Sequence, residues 1–256
     1  MATNGGPILT GANLTSSKIS KRFKKKHSTS PTGLYTIRVP ELGNQPLRLW
    51  VDNEYDGGGW VMVMANRGYT AGMNNLKYDD AINKVNYRTG GSNDASNTVS
   101  WLKRGFGLSD FNAWVGLKYW KYLAGRKNSG KITVVQIVST TPVELNDTTN
   151  HTYRAEWYFT DFNESTWAMN SKGFTSNLKG STTPGFYSYH AGYPLTTFDS
   201  DNDNNGGNCS TYYNNNPWWY GSCWSGNYFA GGGYQDRPYW NSSGSDNHAY
   251  GAVYIK

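Results

Sequence analysis

The chain has 256 residues, 37% of them hydrophobic and 16% aromatic, with 11 Trp, 20 Tyr and 30 Gly. That length fits one large domain or two small ones, and the aromatic content excludes a disordered chain, which is poor in aromatics and rich in charge. The net charge of +6 lies in one place: residues 1–30 hold Lys18, Lys21, Arg22, Lys24, Lys25 and Lys26 and no acid, and removing these six of the 24 basic residues leaves 18 against 18 acidic ones. The body is formally neutral, so the basic balance describes an arm and argues against nucleic acid as a partner. No run of about 18 apolar residues occurs, so no membrane insertion is expected.

Residues 1–30 read as an arm in which Ile19 and Phe23 fall at i and i+4 of a short helix over 16–26. Such a helix docks its apolar pair while the lysines and Arg22 face an acidic partner; a solvated tail is the alternative. The opening MATNGGPILTGANLT has no charged segment followed by an apolar one, as a secretory leader requires. Either a leader was removed or the chain is made in a cytoplasm without export.

The body begins at Pro31. Residues 33–39 (GLYTIRV) and 47–51 (LRLWV) alternate apolar and polar around a turn-rich ELGNQP and predict a hairpin. DGGGWVMVMANR (56–67) predicts an unusual glycine turn and then a buried strand. Helical pieces interrupted by glycines are expected over 101–125, and strands over 131–139 and 153–162. After Gly173 the expectation is loops, with a loop-rich subdomain over about 174–248, until a last strand in 249–256. Strands and short helices without regular alternation predict an α+β domain with a mixed or antiparallel sheet.

The densest carboxylate cluster is FDSDNDNNGGNC, where Asp199, Asp201 and Asp203 alternate with small polar residues. Asp201, Asp203, Asn205 and Gly206 satisfy the first half of an EF-hand loop, but position twelve is Tyr212 where a bidentate Glu is needed. The oxygen-rich set suits a hard cation; a solvated turn whose Asp and Asn cap their own backbone suits the spacing equally. Catalysis finds no support. His27, His151, His190 and His248 show no metal-ligand spacing, no G-x-S-x-G occurs, and the glycine runs at 57–59 and 231–233 lack a phosphate-loop lysine. Sequons at Asn146 and Asn241 arise by chance in an Asn-rich chain.

Taken in series, SPTGLYTIRV, DGGGWVMVMANR, RGFGL with WVG (114–116), LTTFDSDNDNNGGNC, WWYGSCW, GGGY and the terminal VYIK resemble the fibrinogen C-terminal-like domain family, which includes ficolins and tachylectins. The resemblance runs through residues 31–256. It departs at Trp50, where the family has a cysteine, and at Trp224, where a His follows the second cysteine.

The resemblance implies Ca²⁺ held by Asp201 and Asp203 and by the backbone carbonyls of Asn205 and Gly207, with water completing the shell. It implies that Cys209 and Cys223 pair in an oxidising setting, two free thiols being the alternative, and that the Ser222–Cys223 peptide bond is cis. A ligand pocket is expected beside that bond, formed by Tyr213, Ser222, Cys223 and Trp224, with Tyr239 and Trp240 as its far wall. Such a pocket suits an N-acetylated sugar, with the acetyl methyl against a ring and the amide on backbone N–H groups. Trp218 and Trp219 are expected to be packing residues.

The function expected is a non-enzymatic, calcium-stabilised recognition domain for cell-surface glycans or glycoproteins. The missing leader and the basic arm suit a virion or tail surface, with the arm binding other structural proteins of the particle. A purely structural decoration protein and a secreted, extracellular innate-immunity-type lectin are the alternatives, and self-association stays open.

Overall fold

The computed structural model describes residues 31–67, 73–85, 87–90, 111–124, 130–141, 145–223, 227, 229, 238–241, 248 and 250–256. The arm at 1–30, with its lysines, Ile19, Arg22 and Phe23, lies outside them, as does Trp224.

Alternation in the first apolar segments produces the expected hairpin: β1 (Gly33–Arg38) pairs antiparallel with β2 (Pro46–Asp52). Its turn is one 3-10 segment, Pro40–Leu42, closed by Gly43 at φ +76. Glycine enters that left-handed region without the Cβ penalty. β3 (Trp60–Arg67) follows the glycine run, then β4 (Tyr87–Gly90), β5 (Phe111–Trp114), β6 (Ile132–Ser139) and β7 (Tyr153–Phe159). A two-stranded ribbon, β8 (Asp161–Phe162) with β9 (Met169–Asn170), precedes β10 (Gly173–Lys179) and β11 (Tyr250–Ile255). The main sheet runs β1-β2-β3-β11-β6-β7-β10, with β5 joining β3 to β4. All its described pairings are antiparallel.

Two expectations change. Residues 111–114 lie in the stretch expected to be helical, yet they form β5, because Asn112 and Ala113 pair with both β3 and β4. Residues 173–179 form an edge strand on β7, so the loop-rich region starts after Lys179 and not at 174.

Period-two geometry explains why the central strands carry apolar residues on both faces. Val134 and Val138 of β6, Val253 and Ile255 of β11, and Val61 and Val63 of β3 face the larger core. Val135, Ile137, Ala252, Tyr254, Trp60 and Met62 face a second cluster on the other side. That second side also buries charge. The Arg154 guanidinium lies 3.8 Å from the Tyr55 ring centre and donates to the Leu145 carbonyl at 3.1 Å. Asp52 accepts from the backbone of Glu54 and Tyr55 at 3.0 and 2.7 Å.

The larger core is covered by α1 (Tyr78–Asn83), α2 (Leu117–Leu123) and the loops after β10. α2 buries Leu117, Trp120 and Leu123 at three-residue spacing, the stripe a helix needs to face a core. Gly116 lets α2 meet the end of α1: a Cβ there would sit 2.6 Å from the Ile82 carbonyl oxygen and 2.7 Å from that of Lys84. Backbone cannot swing aside as a side-chain tip can. Gly116→Ala is therefore expected to cost about 2–3 kcal/mol by urea unfolding; an unchanged midpoint would show that the helix pair gives way freely.

Candidate recognition site around the disulfide loop

The site stands on two indoles. Trp218 and Trp219 are fully buried, as expected for packing residues. Thr196 and Trp218 exchange backbone hydrogen bonds of 2.9 and 3.1 Å. The Trp219 ring stacks on Trp114 at 5.6 Å and 20°, and its N–H donates to the Trp167 carbonyl at 2.7 Å. His190 Nδ1 lies 2.8 Å from the Trp219 carbonyl, and since a carbonyl only accepts, Nδ1 carries the proton.

From this base the acidic loop reaches both arms of the disulfide. Asp203 accepts from the backbone N–H of Cys209 at 2.8 Å and of Asn205 at 2.9 Å. Asn204 N–H donates to the Gly221 carbonyl at 2.8 Å, two residues before Cys223. Burial pushes the Asp203 carboxyl up, the Cys209 and Asn205 N–H groups pull it down, and the neighbouring Asp201 pushes it up again.

Asp199 does different work. It accepts from the Thr197 hydroxyl at 2.7 Å and from Tyr78 N–H at 3.0 Å, which satisfies an open donor at the start of α1. Asn208 caps the short α3 (Cys209–Tyr212) by accepting from Thr211 N–H, and donates to the Thr197 carbonyl.

The donor set at this loop fits a hard divalent cation. Two carboxylates lie close enough for Asp201 to act on Asp203, one exposed and one half-buried. The Gly207 carbonyl accepts from the Asn205 side-chain amide at 2.9 Å, and a carbonyl keeps a second lone pair. Among the described residues no three His, Cys, Asp or Glu side chains gather as a metal group. Any further ligands in this loop would be amide and carbonyl oxygens and water, the chemistry of Ca²⁺ and not of zinc.

Cys209 and Cys223 are bonded, with sulfurs 2.11 Å apart. Closing a loop with a separation of 14 residues contributes roughly 3 kcal/mol. The expected cis bond is absent: described peptide bonds are trans, including Ser222–Cys223, and Cys223 itself takes φ +71. The chain makes its turn at the cysteine by a left-handed residue.

Around that turn the structure gathers some expected residues and removes others. Tyr213 is half-buried and stacks on buried Tyr220 at 5.8 Å and 16°. Ser222 is exposed, and its N–H donates to the Tyr189 hydroxyl at 3.0 Å, so this donor is already engaged. Trp240 does not form a wall. It is 1% exposed, stacks on Tyr153 at 5.5 Å, and donates to the Thr182 carbonyl at 2.7 Å, because the large core takes the whole indole. Tyr239 is half-buried beside Asn227, whose carbonyl accepts its N–H at 2.9 Å.

Two rings that sequence reasoning passed over belong here. Tyr189 and Tyr193 pack at 5.3 Å, and a Cβ on Gly221 would meet Tyr193 at 2.6 Å. The tyrosine-rich FYSYHAGY was their only signal in the sequence. Tyr212, 62% exposed, lies against the acidic loop: a Cβ on Gly207 would meet its hydroxyl at 2.7 Å.

A loop-rich end with one disulfide, mounted on an antiparallel sheet whose last strand lies at its centre, defines a fibrinogen-type globular domain. The family described as "Fibrinogen beta and gamma chains, C-terminal globular domain" matches residues 19–248, and the chain belongs to it. The chain is 26% identical over 200 residues to angiopoietin-related protein 1 of Homo sapiens and 27% over 198 residues to that of Bos taurus. These matches cover 77% and 76% of this chain but only 32% of each relative, so the chain spans about a third of their length.

Solved structures share the fold. The fibrinogen-like globe domain of human ANGPTL6 superposes with a TM-score of 0.58 at 18% identity, over 99% of this chain and 98% of that one. The corresponding domain of human ANGPTL2 gives 0.59 at 19%, over 93% and 97%. Lamprey fibrin D-dimer complexed with the peptide Gly-His-Arg-Pro-amide gives 0.60 at 17%, over 96% and 74%.

Proposed function

We propose that the chain is a non-enzymatic recognition domain that binds N-acetylated cell-surface glycans beside the Cys209–Cys223 disulfide, with Ca²⁺ as a brace. One observation carries the reading: the acidic loop is hydrogen-bonded to both arms of the disulfide, through Asp203 to Cys209 and through Asn204 to Gly221. A cation at Asp201 and Asp203, with the Asn205 and Gly207 carbonyls, would relieve the repulsion of the carboxylates. It would also hold Tyr213, Ser222 and Cys223 in one arrangement. No described helix is long and apolar enough to cross a membrane. The reading places the domain outside cells or on a virion surface, with residues 1–30 docking it to a particle.

A glycan array run with Ca²⁺ and with chelator tests this. Binding to N-acetylated sugars is expected in Ca²⁺, lost on chelation, in Asp203→Asn and in Tyr213→Ala. Ca²⁺ at 100 times its Kd should also stabilise the fold by about 2.7 kcal/mol. Stabilisation without glycan binding would leave only the structural role. Lamprey fibrin holds a peptide, which favours a second reading in which the same face takes a peptide or protein; an array negative for sugars with binding to extended peptides selects it.

A further inference from the structure

A second site lies away from the disulfide. One face of α2, the β8–β9 ribbon and the turn after β1 line an open cleft of about 120 Å³. Trp167 and Tyr122 stand in its walls over Phe162, and Lys118, Lys121, Asp161 and Glu164 surround them. Trp167 is held in an unusual way. Its φ is +58, a region that bulky residues avoid. Three contacts keep it there: its N–H donates to the Asn163 carbonyl at 2.6 Å, its carbonyl accepts from Trp219 at 2.7 Å, and its ring meets Phe162 at 5.8 Å. Strain of this kind persists only where surrounding structure over-determines it, and it sets the indole against the cleft.

The geometry points to a binding site for one neutral sugar ring. An indole wall suits the C–H face of such a ring. Its hydroxyls need acceptors and donors within one small circle, which two carboxylates and two ammonium groups supply. Lys121 and Glu164 already pair at 3.4 Å, with Glu164 83% exposed, so the charges cancel and a charged ligand gains nothing from the rim. The cleft is smaller than pockets for drug-sized ligands, so it takes a single ring and not a chain. An aliphatic side chain from a protein partner would fill the floor but leave the four charged groups without function.

The test uses methyl α-glucoside, methyl α-galactoside and methyl α-mannoside as probes in saturation-transfer NMR. Chelator is present throughout and the protein carries Tyr213→Ala, which together silence the face beside the disulfide. Transfer to at least one glycoside is expected, with Kd on the order of 1–10 mM for a ligand of this size. Trp167→Gly suits the left-handed backbone and keeps the carbonyl bonded to Trp219; it should abolish transfer. The rim variant Lys121→Ala/Glu164→Ala, which removes one half-buried and one exposed charge, should weaken binding at least fivefold. No transfer at 20 mM glycoside overturns the assignment, as does transfer unchanged in both variants. Displacement of the glycoside by a leucine dipeptide of higher affinity overturns it too, in favour of a side-chain pocket.

Discussion

Replacing Trp219 with alanine is expected to remove about 4–6 kcal/mol of stability, the largest single effect foreseen in this domain. The indole is fully buried, packed on Trp114 and against Phe186 at 5.2 Å. Emptying such a site costs about 3–5 kcal/mol before any polar term. The Trp167 carbonyl then loses its donor, which adds roughly 1 kcal/mol or more. Since whole domains are stable by about 5–15 kcal/mol, the variant should be partly unfolded at 37 °C. Trp219→Phe separates most of the packing from the rest: it keeps an aromatic ring but loses the N–H together with three ring atoms, and should cost about 2–3 kcal/mol in urea unfolding. Equal losses in both variants would mean that the hydrogen bond, and not the packing, holds Trp167 and the disulfide loop to the sheet.

The central strands could be seen in the sequence because both faces of the sheet are buried. The run 60–65 is apolar at every position and 132–139 is broken only by Thr133, Gln136 and Ser139, which no surface strand would be. β10 could not be seen, because its side chains are half-buried or exposed and its pairing on β7 is broken by register shifts. Alternation never develops there. The acidic loop shows the same limit at the level of single residues. Asp199, Asp201 and Asp203 look equivalent in sequence, yet Asp199 serves α1 from 121 positions away, while Asp203 serves the disulfide from six. Spacing reports which oxygens could share a cation, and tertiary structure decides which are already engaged. Trp240 fails as a pocket wall for that reason: Tyr153, distant in sequence, claims its ring. The tyrosines at 189 and 193 are brought to Ser222 and Gly221 by the helical turn Phe186–His190, a π-type turn that no short motif announces.

That turn also carries the second large effect, an acid instability. His190 is fully buried, edge-on to Tyr189, Trp218 and Tyr220 at 5.0, 6.1 and 6.3 Å. Burial pushes its pKa down to about 3, against the pull of the Trp219 carbonyl and with a smaller push from Lys172. In the unfolded chain the same imidazole titrates near 6.5. Below that pH the unfolded state takes a proton that the native state refuses. The stabilising contribution is complete above about pH 6.5 and falls with each unit down to about pH 3. Roughly 3 kcal/mol is lost by pH 4, and 4–5 kcal/mol below pH 3. Asp52 and Glu156, both raised by burial, act in the opposite direction because their native forms accept protons earlier, so they offset part of the loss. A comparison with His190→Asn isolates the imidazole, since its amide can donate to the Trp219 carbonyl yet cannot titrate. At pH 7 the variant should be the less stable protein, through its smaller volume. By pH 4 the gap between the two should have narrowed by roughly 3 kcal/mol in urea unfolding. A gap that stays constant from pH 7 to pH 4 would show that His190 gains its proton in the native state as readily as in the unfolded one, and that the turn carrying Tyr189 opens without losing the sheet.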